Sequence, residues 1–424
     1  MKLSDITYMS LDEVNSLSRF DLVTPPRKVK WYLKPLIWIL SFPETLSTHA
    51  KVNKHNMDDV KGQYLLLCNH NSFIDFKVSV KAIFPHFANY VVAVDGFIGR
   101  EKLLRNTGCF AKRKFVSDIR LVRNIIHSIN KNKYICAIYP EARYSLVGTT
   151  AILPDSLGKM AKLLKRPVVT LISHGHHLRQ PVWNLNKRKV RTSADMTCIV
   201  SAKEIETLSV DEINQRIRQA FEYDDYRYQK ENNIRIKYKN RAKGLNKVLY
   251  KCPNCLDENS MHSDGNKLWC EHCHKTYEMS EIGELHAVEG ITEYSHIPDW
   301  YEWERAEVKK EVENGTYSID TEVEIDSLPN STGYYRLGKG KLTHNMDGFH
   351  LDAVFSNKQE LHLHKMAIEN YSVHIEFDYF GKGDCVSFSD DNDTYYLFPI
   401  DKRFNVTKVH FGVEEIYKII SKNN

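Results

Sequence analysis

Apolar runs of strand length alternate with helical patterns between residues 63 and 221, and this alternation restricts the fold more than any other feature of the chain. Helical periodicity is clearest at 116–130 and 157–165. A chain that alternates in this way is expected to form an α/β domain with a largely parallel sheet. The predicted strands are 64–68, 90–94, 134–139, 167–173 and 196–200.

The borders of this α/β region can also be predicted. Ser209 with Glu212 three residues later makes a capping box for a helix that runs to about residue 223, and a polar, basic connector follows at 224–247. A chain of 424 residues has room for about three domains. We predict a helical segment, an α/β domain with its connector, a cysteine-bearing domain, and an acidic helical linker with a β-rich C-terminal domain. Their bounds are 1–45, 46–247, 248–285 and 286–424.

Four of the nine cysteines lie in two CxxC pairs with fourteen residues between them. They are Cys252, Cys255, Cys270 and Cys273. Four thiolates at this spacing can close a tetrahedral shell around Zn²⁺ and leave no position open for catalysis, so we predict a structural zinc ribbon. His272 and His274 are alternative ligands that the shell does not require. A redox or disulfide role is one alternative; another is nucleic-acid binding, for which Lys251 and Lys267 give only a thin basic patch.

Residues 1–45 contain a short apolar stretch beside basic residues. The stretch at 33–42 is about half the roughly 20 residues that span a bilayer, so it cannot cross one. Lysines and arginines beside Trp31, Tyr32 and Trp38 suit a helix in the lipid headgroup layer; the alternative is a helix packed on its own domain. No export signal is recognisable at the start of the sequence. We therefore expect a cytoplasmic protein, peripheral on the inner face of the membrane, whose net charge of +5 suits anionic lipid.

His70 and Asp75 stand five positions apart, directly after an apolar run. With 19 histidines in the chain, about one such match arises by chance, so the spacing alone is weak. The pair follows a predicted buried strand, however, and open α/β sheets bind ligands at the carboxyl ends of their strands. A carboxylate beside an imidazole makes a general base, because it fixes the tautomer and stabilises the imidazolium. Ser72 lies too close to His70 to be a separately positioned nucleophile, so we expect direct attack by a substrate hydroxyl.

Three further stretches follow this pair in order. They are Phe110-Ala111-Lys112-Arg113, Tyr139-Pro140-Glu141-Ala142-Arg143-Tyr144-Ser145 and Pro167-Val168-Val169. The glycerolphosphate acyltransferases of the 1-acylglycerol-3-phosphate acyltransferase type have the motifs Asn-His-x4-Asp, Phe-x-x-Arg, Phe-Pro-Glu-Gly-Thr-Arg-Ser and an apolar strand with Pro-Val. Over about residues 52–223, this chain resembles that family in the order and spacing of all four.

The resemblance implies an acyltransferase-type α/β sandwich that moves a fatty acyl group from acyl-CoA or acyl carrier protein. The acceptor would be a hydroxyl of lysophosphatidic acid or a related lysophospholipid or glycerol-phosphate lipid. His70 would take the hydroxyl proton and Asp75 would orient His70. Arg113, with Lys112 beside it, would hold an acceptor phosphate, for which a forked guanidinium is suited. Glu141 would shape the acceptor pocket. The chemistry itself requires no metal.

The second and third stretches depart from the family pattern. The arginine of the third motif is replaced by Tyr144, with Arg143 one residue earlier, and its glycine is Ala142. A shift of one residue changes the direction of a side chain, so the contribution of Arg143 to substrate binding depends on the local backbone. Thr107 also stands where the second motif usually has glycine, with Gly108 next to it. These differences leave the identity of the acceptor open.

Two other hypotheses fit the same pattern. One is a non-catalytic membrane or nucleic-acid adaptor that keeps an acyltransferase-like fold. The other is hydrolysis of the acyl thioester by water, which needs the same base. Replacement of His70 by alanine separates an enzyme from an adaptor, and product analysis without an acceptor alcohol identifies a hydrolase.

The C-terminal region from about residue 332 resembles a pleckstrin-homology-like or GRAM-like barrel, with hairpin patterns and a closing amphipathic helix at 413–420. Such a domain would bind lipid or dock the acyltransferase domain. The run Asp390-Asp391-Asn392-Asp393 is predicted to be a hairpin turn, since it lacks the spacing and terminal glutamate of a calcium loop. The cluster His174-Gly175-His176-His177 is predicted to be a turn after a strand, because no acidic or cysteine partner lies nearby in the sequence.

Overall fold

A computed structural model describes residues 5–116 and 118–423 of the chain. The chain forms two compact units. The α/β unit comprises Asp21–Lys112 and Asp118–Ile236, and the β-rich unit comprises Met1–Phe20, Arg113–Ser117 and Lys237–Asn424. The predicted segment 1–45 therefore spans a boundary between the two units.

Twelve α-helices are present among the described residues, together with short 3₁₀ turns. In chain order they are α1 (Leu11–Ser16), α2 (Lys34–Ser47), α3 (Ile74–Ile83), α4 (Glu101–Asn106), α5 (Ile119–His127), α6 (Ser156–Leu164), α7 (His176–Arg179), α8 (Glu204–Thr207), α9 (Val210–Ala220), α10 (Asp225–Glu231), α11 (Ile297–Glu313) and α12 (Val406–Asn423). In the part of the chain that the structure covers, none of these helices combines the length and apolar character that crossing a bilayer requires.

The α/β unit is built on a seven-stranded mixed sheet. Its strands are β1 (Lys51–His55), β2 (Leu65–Cys68), β3 (Ala88–Ala93), β4 (Phe110–Lys112), β5 (Ile135–Ile138), β6 (Val168–His174) and β7 (Ser193–Val200). The strand order is β1-β7-β6-β2-β5-β3-β4. Strands β6, β2, β5, β3 and β4 run parallel, and β7 joins antiparallel to β6. The largely parallel sheet expected from the alternating pattern is therefore present.

The apolar pattern accounts for the centre of this sheet. Strand β2, with the sequence Leu-Leu-Leu-Cys, is buried along its whole length between its neighbours β5 and β6. Its side chains join one core with apolar residues of helices α5, α6 and α9. Parallel strands covered on both faces have continuous apolar runs, and this is why they were recognisable from sequence.

The structure contains strands at all five predicted positions and differs in detail elsewhere. Strands β1 and β4 were not predicted, because Lys51–His55 is largely polar and Phe110–Lys112 has only three residues. The helix predicted at 116–130 begins at Ile119, since the side chain of Asp118 accepts a hydrogen bond from the backbone N–H of Arg120. Ser117, inside that prediction, lies outside the described residues. The capping box at Ser209 and Glu212 is present at the start of α9.

The β-rich unit contains two antiparallel sheets. The smaller has the order β11-β10-β9-β8, from β8 (Met261–Asp264), β9 (Lys267–Cys270), β10 (Thr276–Met279) and β11 (Leu285–Ala287). The larger has the order β15-β14-β13-β12-β18-β17-β16, from β12 (Ile319–Ser327), β13 (Tyr335–Asn345), β14 (Gly348–Val354), β15 (Glu360–Met366), β16 (His374–Glu376), β17 (Cys385–Ser389) and β18 (Thr394–Pro399). The acidic run 390–393 forms the hairpin turn between β17 and β18.

Candidate active site

Three neighbouring parallel strands of the α/β unit end beside one another and carry the candidate site. His70 follows β2, Glu141 follows β5 and His176 follows β6, and β2 pairs with both of the other strands. Asn69 connects two of these ends, because its side-chain amide donates to the carbonyl of Ser173 and its oxygen accepts from the Ser173 N–H. The carboxyl ends of these strands thus bring together polar residues that are distant in sequence.

His70 and Asp75 form the hydrogen-bonded pair that their spacing suggested. The distance from His70 Nδ1 to Asp75 Oδ2 is 3.0 Å. Asp75 lies in the first turn of α3 and is buried, whereas 23% of the His70 side chain is exposed. A helix N-terminus favours a carboxylate. When Nδ1 donates to Asp75, the Nε2 lone pair of His70 is available to accept a proton.

The Asp75 carboxylate accepts several hydrogen bonds at once. Its Oδ2 also accepts from the backbone N–H groups of Asn71 and Ser72, at 2.5 and 2.9 Å. Its Oδ1 lies 2.5 Å from Nδ1 of His176, which is fully buried. Burial opposes ionisation of Asp75, but hydrogen bonds from His176 and His70 overcome it and lower the pKa to about 2. Asp75 is therefore an anion at neutral pH.

The contact with His176 was not anticipated from the sequence. Its cluster was interpreted as a turn, and the structure does place a left-handed Gly175 and the short helix α7 there. The sequence offers one indication of this contact: His176 stands shortly after the strand β6, as His70 stands shortly after the strand β2. Without the strand order, nothing in the sequence indicates that β6 and β2 are neighbours.

Glu141 is buried and supports the turn that carries His70. Its two carboxyl oxygens accept from the backbone N–H groups of His70 and Ala151, at 3.2 and 3.1 Å. The hydroxyl of Tyr223 lies 3.3 Å from Glu141 and 3.0 Å from the side-chain oxygen of Asn71. Burial raises the pKa of Glu141 to about 8 despite these hydrogen bonds. Glu141 therefore positions His70 largely as a neutral carboxyl.

Two tyrosines flank the His70 ring. The ring centroids of Tyr139 and Tyr144 lie 4.5 and 4.1 Å from that of His70. Tyr144 occupies the position that the family motif gives to arginine, so an aromatic ring contacts His70 where the family pattern has a cation. The preceding Ala142 has a φ of 56°, which explains why the family motif has glycine at this position.

Two other predicted substrate-binding residues, Arg143 and Lys112, lie at different distances from His70. Arg143 is buried, donates to the carbonyl of Tyr144, and lies close enough to Glu141 to act on its ionisation. Lys112 ends the edge strand β4, three strands from β2, which corresponds to roughly 14 Å. Burial lowers the pKa of Lys112.

Arg113 belongs to the β-rich unit. Its two terminal nitrogens donate to four oxygens of that unit. The acceptors are the carbonyls of Leu328, Pro329 and Asn392 and the hydroxyl of Thr394, at 2.6–3.2 Å. Arg113 is 2% exposed, and its guanidinium N–H groups already donate to these oxygens instead of to a phosphate.

The four cysteines converge in the β-rich unit, beside the smaller sheet. Their Sγ atoms all lie within 4.8 Å of one another. The Sγ atoms are 3.7 Å apart in both the Cys252–Cys273 and the Cys255–Cys270 pair. A tetrahedron with Zn–S bonds of about 2.3 Å has edges of about 3.8 Å, whereas a disulfide requires about 2.05 Å. The donor set and its spacing thus fit a zinc ion.

The two CxxC turns have the same backbone geometry. The first cysteine of each pair accepts from the N–H four residues later, that of Leu256 or His274, at 2.9 Å. Both of these residues adopt the left-handed conformation, with φ of 64° and 61°. Such turns direct both sulfurs of a pair toward one point. His272 and His274 are exposed and outside the four-cysteine group.

One comparison with known protein families covers the segment that carries this site. Residues 49–174 match the family model described as Acyltransferase. No curated protein is significantly similar to the chain in sequence. Among solved structures, the 1-acyl-sn-glycerophosphate (LPA) acyltransferase PlsC from Thermotoga maritima aligns with 14% identity and a TM-score of 0.38, over 45% of this chain and 77% of that one. The matched segment contains His70, Asp75 and Glu141, so the part of the chain that carries the site is similar to the acyltransferase family.

Proposed function

We propose that this protein is an O-acyltransferase that moves a fatty acyl group from an acyl thioester to a hydroxyl of a glycerol-phosphate lipid such as lysophosphatidic acid. The observation that carries the proposal is the contact between the partly exposed His70 and the buried Asp75, 3.0 Å apart, within a segment that matches the acyltransferase family. Acyl-CoA or acyl carrier protein would be the donor.

The reaction uses His70 as a general base. Its Nε2 takes the proton of the acceptor hydroxyl as the oxygen attacks the thioester carbonyl, and the Asp75 carboxylate stabilises the imidazolium that forms. Collapse of the tetrahedral intermediate breaks the carbon–sulfur bond, and the departing thiolate takes the proton back from His70. The products are an ester and a free thiol. No serine nucleophile and no metal takes part in these steps.

Residues around the pair have supporting roles in this proposal. Glu141 holds the backbone of His70, and the buried Arg143 beside it supplies positive charge near the acceptor. The contacts of Arg113 support a role in stabilising the β-rich unit. The predicted contact of Arg113 and Lys112 with an acceptor phosphate stays a prediction.

The protein would act at a membrane surface as a peripheral enzyme. Helix α2 and the turn before it leave large apolar side chains in solvent, among them Trp31, Ile39 and Leu40, which are 80%, 64% and 61% exposed. Basic residues, including Lys30 and Lys34, accompany them. An aromatic and aliphatic surface with neighbouring cations suits the interface of an anionic bilayer.

The remaining parts would have structural and docking roles. The four cysteines would hold a structural Zn²⁺, which a closed shell of four thiolates keeps out of the catalytic chemistry. The seven-stranded sheet with its closing helix α12 would form the pleckstrin-homology-like domain, with lipid or the acyltransferase domain as its partner.

The test is an acyl-transfer assay on the purified full-length protein. Labelled acyl-CoA and acyl carrier protein are each supplied with a panel of lysophospholipids and glycerol phosphates, and the labelled product is identified. We expect an ester product, and we expect His70→Ala to lower its rate by about 10²–10⁴-fold. His86→Ala, which removes an exposed histidine of the same unit, should keep the rate.

The same assay distinguishes the alternatives. Release of free fatty acid at equal rates with and without the acceptor would identify a thioesterase. Lipid binding that survives His70→Ala, without any turnover by the unaltered protein, would identify an adaptor. Either result would contradict the proposed function.

A further inference from the structure

The Asp75 carboxylate lies between two histidines, and only one of them belongs to the pair proposed as the catalytic base. His70 Nδ1 is 3.0 Å from Oδ2, and His176 Nδ1 is 2.5 Å from Oδ1. The two rings therefore contact different oxygens of one carboxylate. His70 is partly exposed, whereas the His176 side chain has no exposed surface. His176 thus approaches Asp75 from the interior of the domain.

We propose that His176 is a positioning residue for the acyl-transfer reaction, which fixes the orientation of the Asp75 carboxylate and so keeps the proton-accepting nitrogen of His70 directed at the acceptor hydroxyl. The proposal rests on the proposed function. It assigns to the histidine cluster after β6 a role that its sequence did not indicate.

The geometry shows why Asp75 needs a second fixed contact. A carboxylate that rotates about its Cβ–Cγ bond exchanges its two oxygens, and the direction of the hydrogen bond to His70 changes with that rotation. The backbone N–H groups of Asn71 and Ser72 both donate to Oδ2. Within the described part of the chain, the contact that fixes Oδ1 comes from His176. Losing it leaves this buried oxygen without that hydrogen-bond donor.

The protonation states of the groups around Asp75 indicate which side chains interact with its negative charge. Three further titratable groups lie close enough to interact with the Asp75 charge: Cys68, Tyr139 and Tyr223. Burial raises the pKa of each well above its ordinary value, so all three are neutral. Burial raises the pKa of Asp225, which receives the N–H groups of Gly175 and His177, to about 6. His70 and His176 are therefore the side chains that face the charge of Asp75, beside the backbone N–H groups of Asn71 and Ser72.

The neighbouring histidine supplies a matched comparison. His177 is also fully buried in α7, but its ring packs against Trp183 and Tyr226. Its backbone N–H donates to Asp225. A variant at His177 removes a histidine of equal burial from the same helix turn and leaves the contact between His176 and Asp75 in place.

The experiment compares His176→Ala, His176→Asn and His177→Ala with the unaltered full-length protein. Asparagine is chosen because its side-chain NH₂ occupies nearly the position of the histidine Nδ1–H. We expect His176→Ala to lower kcat about 10-fold or more, a part of the roughly 10²–10⁴-fold that a general base supplies. The KM for the acceptor should stay within about twofold, because His176 does not touch substrate. His176→Asn should recover most of kcat.

Two further readouts separate positioning from mere stability. Loss of the His176 contact leaves more of the Asp75 charge to His70, which favours the protonated base, so the acidic limb of kcat/KM should move to higher pH in His176→Ala. In proton NMR, the unaltered protein should show two strongly downfield imidazole N–H signals. His176→Ala should lose one of them and shift the other, and His177→Ala should keep both unchanged.

These outcomes can be told apart from failure of the proposed function. The proposal is overturned if His176→Ala keeps the kcat and pH profile of the unaltered protein, or if His177→Ala causes an equal loss. It is equally overturned if the remaining downfield signal does not respond to His176→Ala. An unaltered protein that transfers no acyl group overturns the proposed function, while the NMR comparison still decides whether His176 orients the Asp75–His70 pair.

Discussion

At the scale of single residues, Ala142 has a backbone conformation that its side chain disfavours. Its φ of 56° is left-handed, which costs an L-residue about 1–2 kcal/mol. Glycine avoids this cost but loses about 0.5–1 kcal/mol through its freedom in the unfolded chain. We therefore expect Ala142→Gly to stabilise the protein by up to about 1 kcal/mol, measured as the free energy of unfolding in denaturant.

Ala161 provides the control for this substitution. It is buried in the interior of α6, where glycine is disfavoured, so Ala161→Gly should destabilise by about 1 kcal/mol. If both variants lose stability to the same extent, the left-handed backbone at Ala142 carries no strain.

Glu141 predicts a pH dependence of stability. Its pKa is about 8 in the folded protein, because of burial, and 4.5 is the ordinary value. Below pH 4.5 the group is protonated in both states. Between pH 4.5 and 8 the unfolded chain releases the proton while the folded protein keeps it, so the folded state loses stability as pH rises through this window. Glu141→Gln cannot ionise and should lack this dependence.

The measurement is the midpoint of thermal unfolding of both proteins at pH 5, 6.5 and 8. The unaltered protein should lose stability relative to Glu141→Gln as the pH rises, and the difference should level off above about pH 8. A difference that is constant across the three values would mean that Glu141 ionises normally in the folded protein.

At the scale of elements, helix α2 has one side that ion pairs hold on the α/β unit and another side with exposed apolar residues. Glu44 on this helix accepts from Lys77, Arg179 and Lys187, and burial is outweighed by these contacts, which lower its pKa to about 2. The helix is thus held on the α/β unit while Ile39 and Leu40 face solvent. The contacts of Glu44 agree with the hypothesis of a packed helix, and the lipid-facing helix stays a prediction for the exposed apolar side.

We expect Leu40→Asp to weaken binding to anionic phospholipid vesicles, because a carboxylate at an interfacial position is repelled by the lipid charge and disfavours insertion. Cosedimentation with vesicles measures the effect. Activity on short-chain, water-soluble substrates should be unchanged, since Leu40 is 61% exposed. Leu163→Asp, at an exposed leucine of α6, is the control; equal loss in both variants would argue against a specific membrane face.

The four-cysteine group leads to a prediction about metal content. Zinc should be present at about one ion per chain in elemental analysis, and Cys270→Ser should abolish it, since four thiolates form the complete shell. Binding of structural zinc supplies folding energy, so chelation or Cys270→Ser should lower the midpoint temperature of the first thermal unfolding transition. Cys198→Ser, at a cysteine of the α/β unit, should retain the zinc. A protein that folds identically without metal would contradict this role.

The sequence predicted those elements whose signal is local. The buried strands β2 and β5 have continuous apolar runs, β6 is largely apolar, and the CxxC turns have a fixed spacing, so these elements could be recognised without knowing the fold. Strand β1 was not predicted because its residues are exposed or half-buried and largely polar. Likewise, His70 and Asp75 are close in sequence, whereas His176 reaches Asp75 only through the pairing of β6 with β2.

At the scale of the whole molecule, the β-rich unit is built from segments that are distant in sequence. The N-terminal residues return to the β-rich unit, where Tyr8 bridges to Arg336 on β13 and the N–H of Phe20 donates to the carbonyl of Pro329. The short segment Arg113–Ser117 also belongs to that unit, although both of its neighbours in sequence belong to the α/β unit. Such long-range pairings leave no local pattern in the sequence. The prediction that Arg113 binds the acceptor therefore rested on the family motif and not on its contacts in the fold.

Arg113→Lys tests which of the two roles this residue has. Lysine keeps the charge but cannot donate from two nitrogens to four oxygens in a fork, and we expect the variant to lose about 1.5–3 kcal/mol of stability through unpaired buried acceptors. Thermal unfolding measures this loss. Below the unfolding temperature, the KM values for phosphate-bearing and phosphate-free acceptors should change together and by less than about twofold. Arg123→Lys, at an exposed arginine of α5, should change neither quantity. A rise in KM confined to phosphate-bearing acceptors, with unchanged stability, would instead place the Arg113 guanidinium on the acceptor and restore the role that the family resemblance implies.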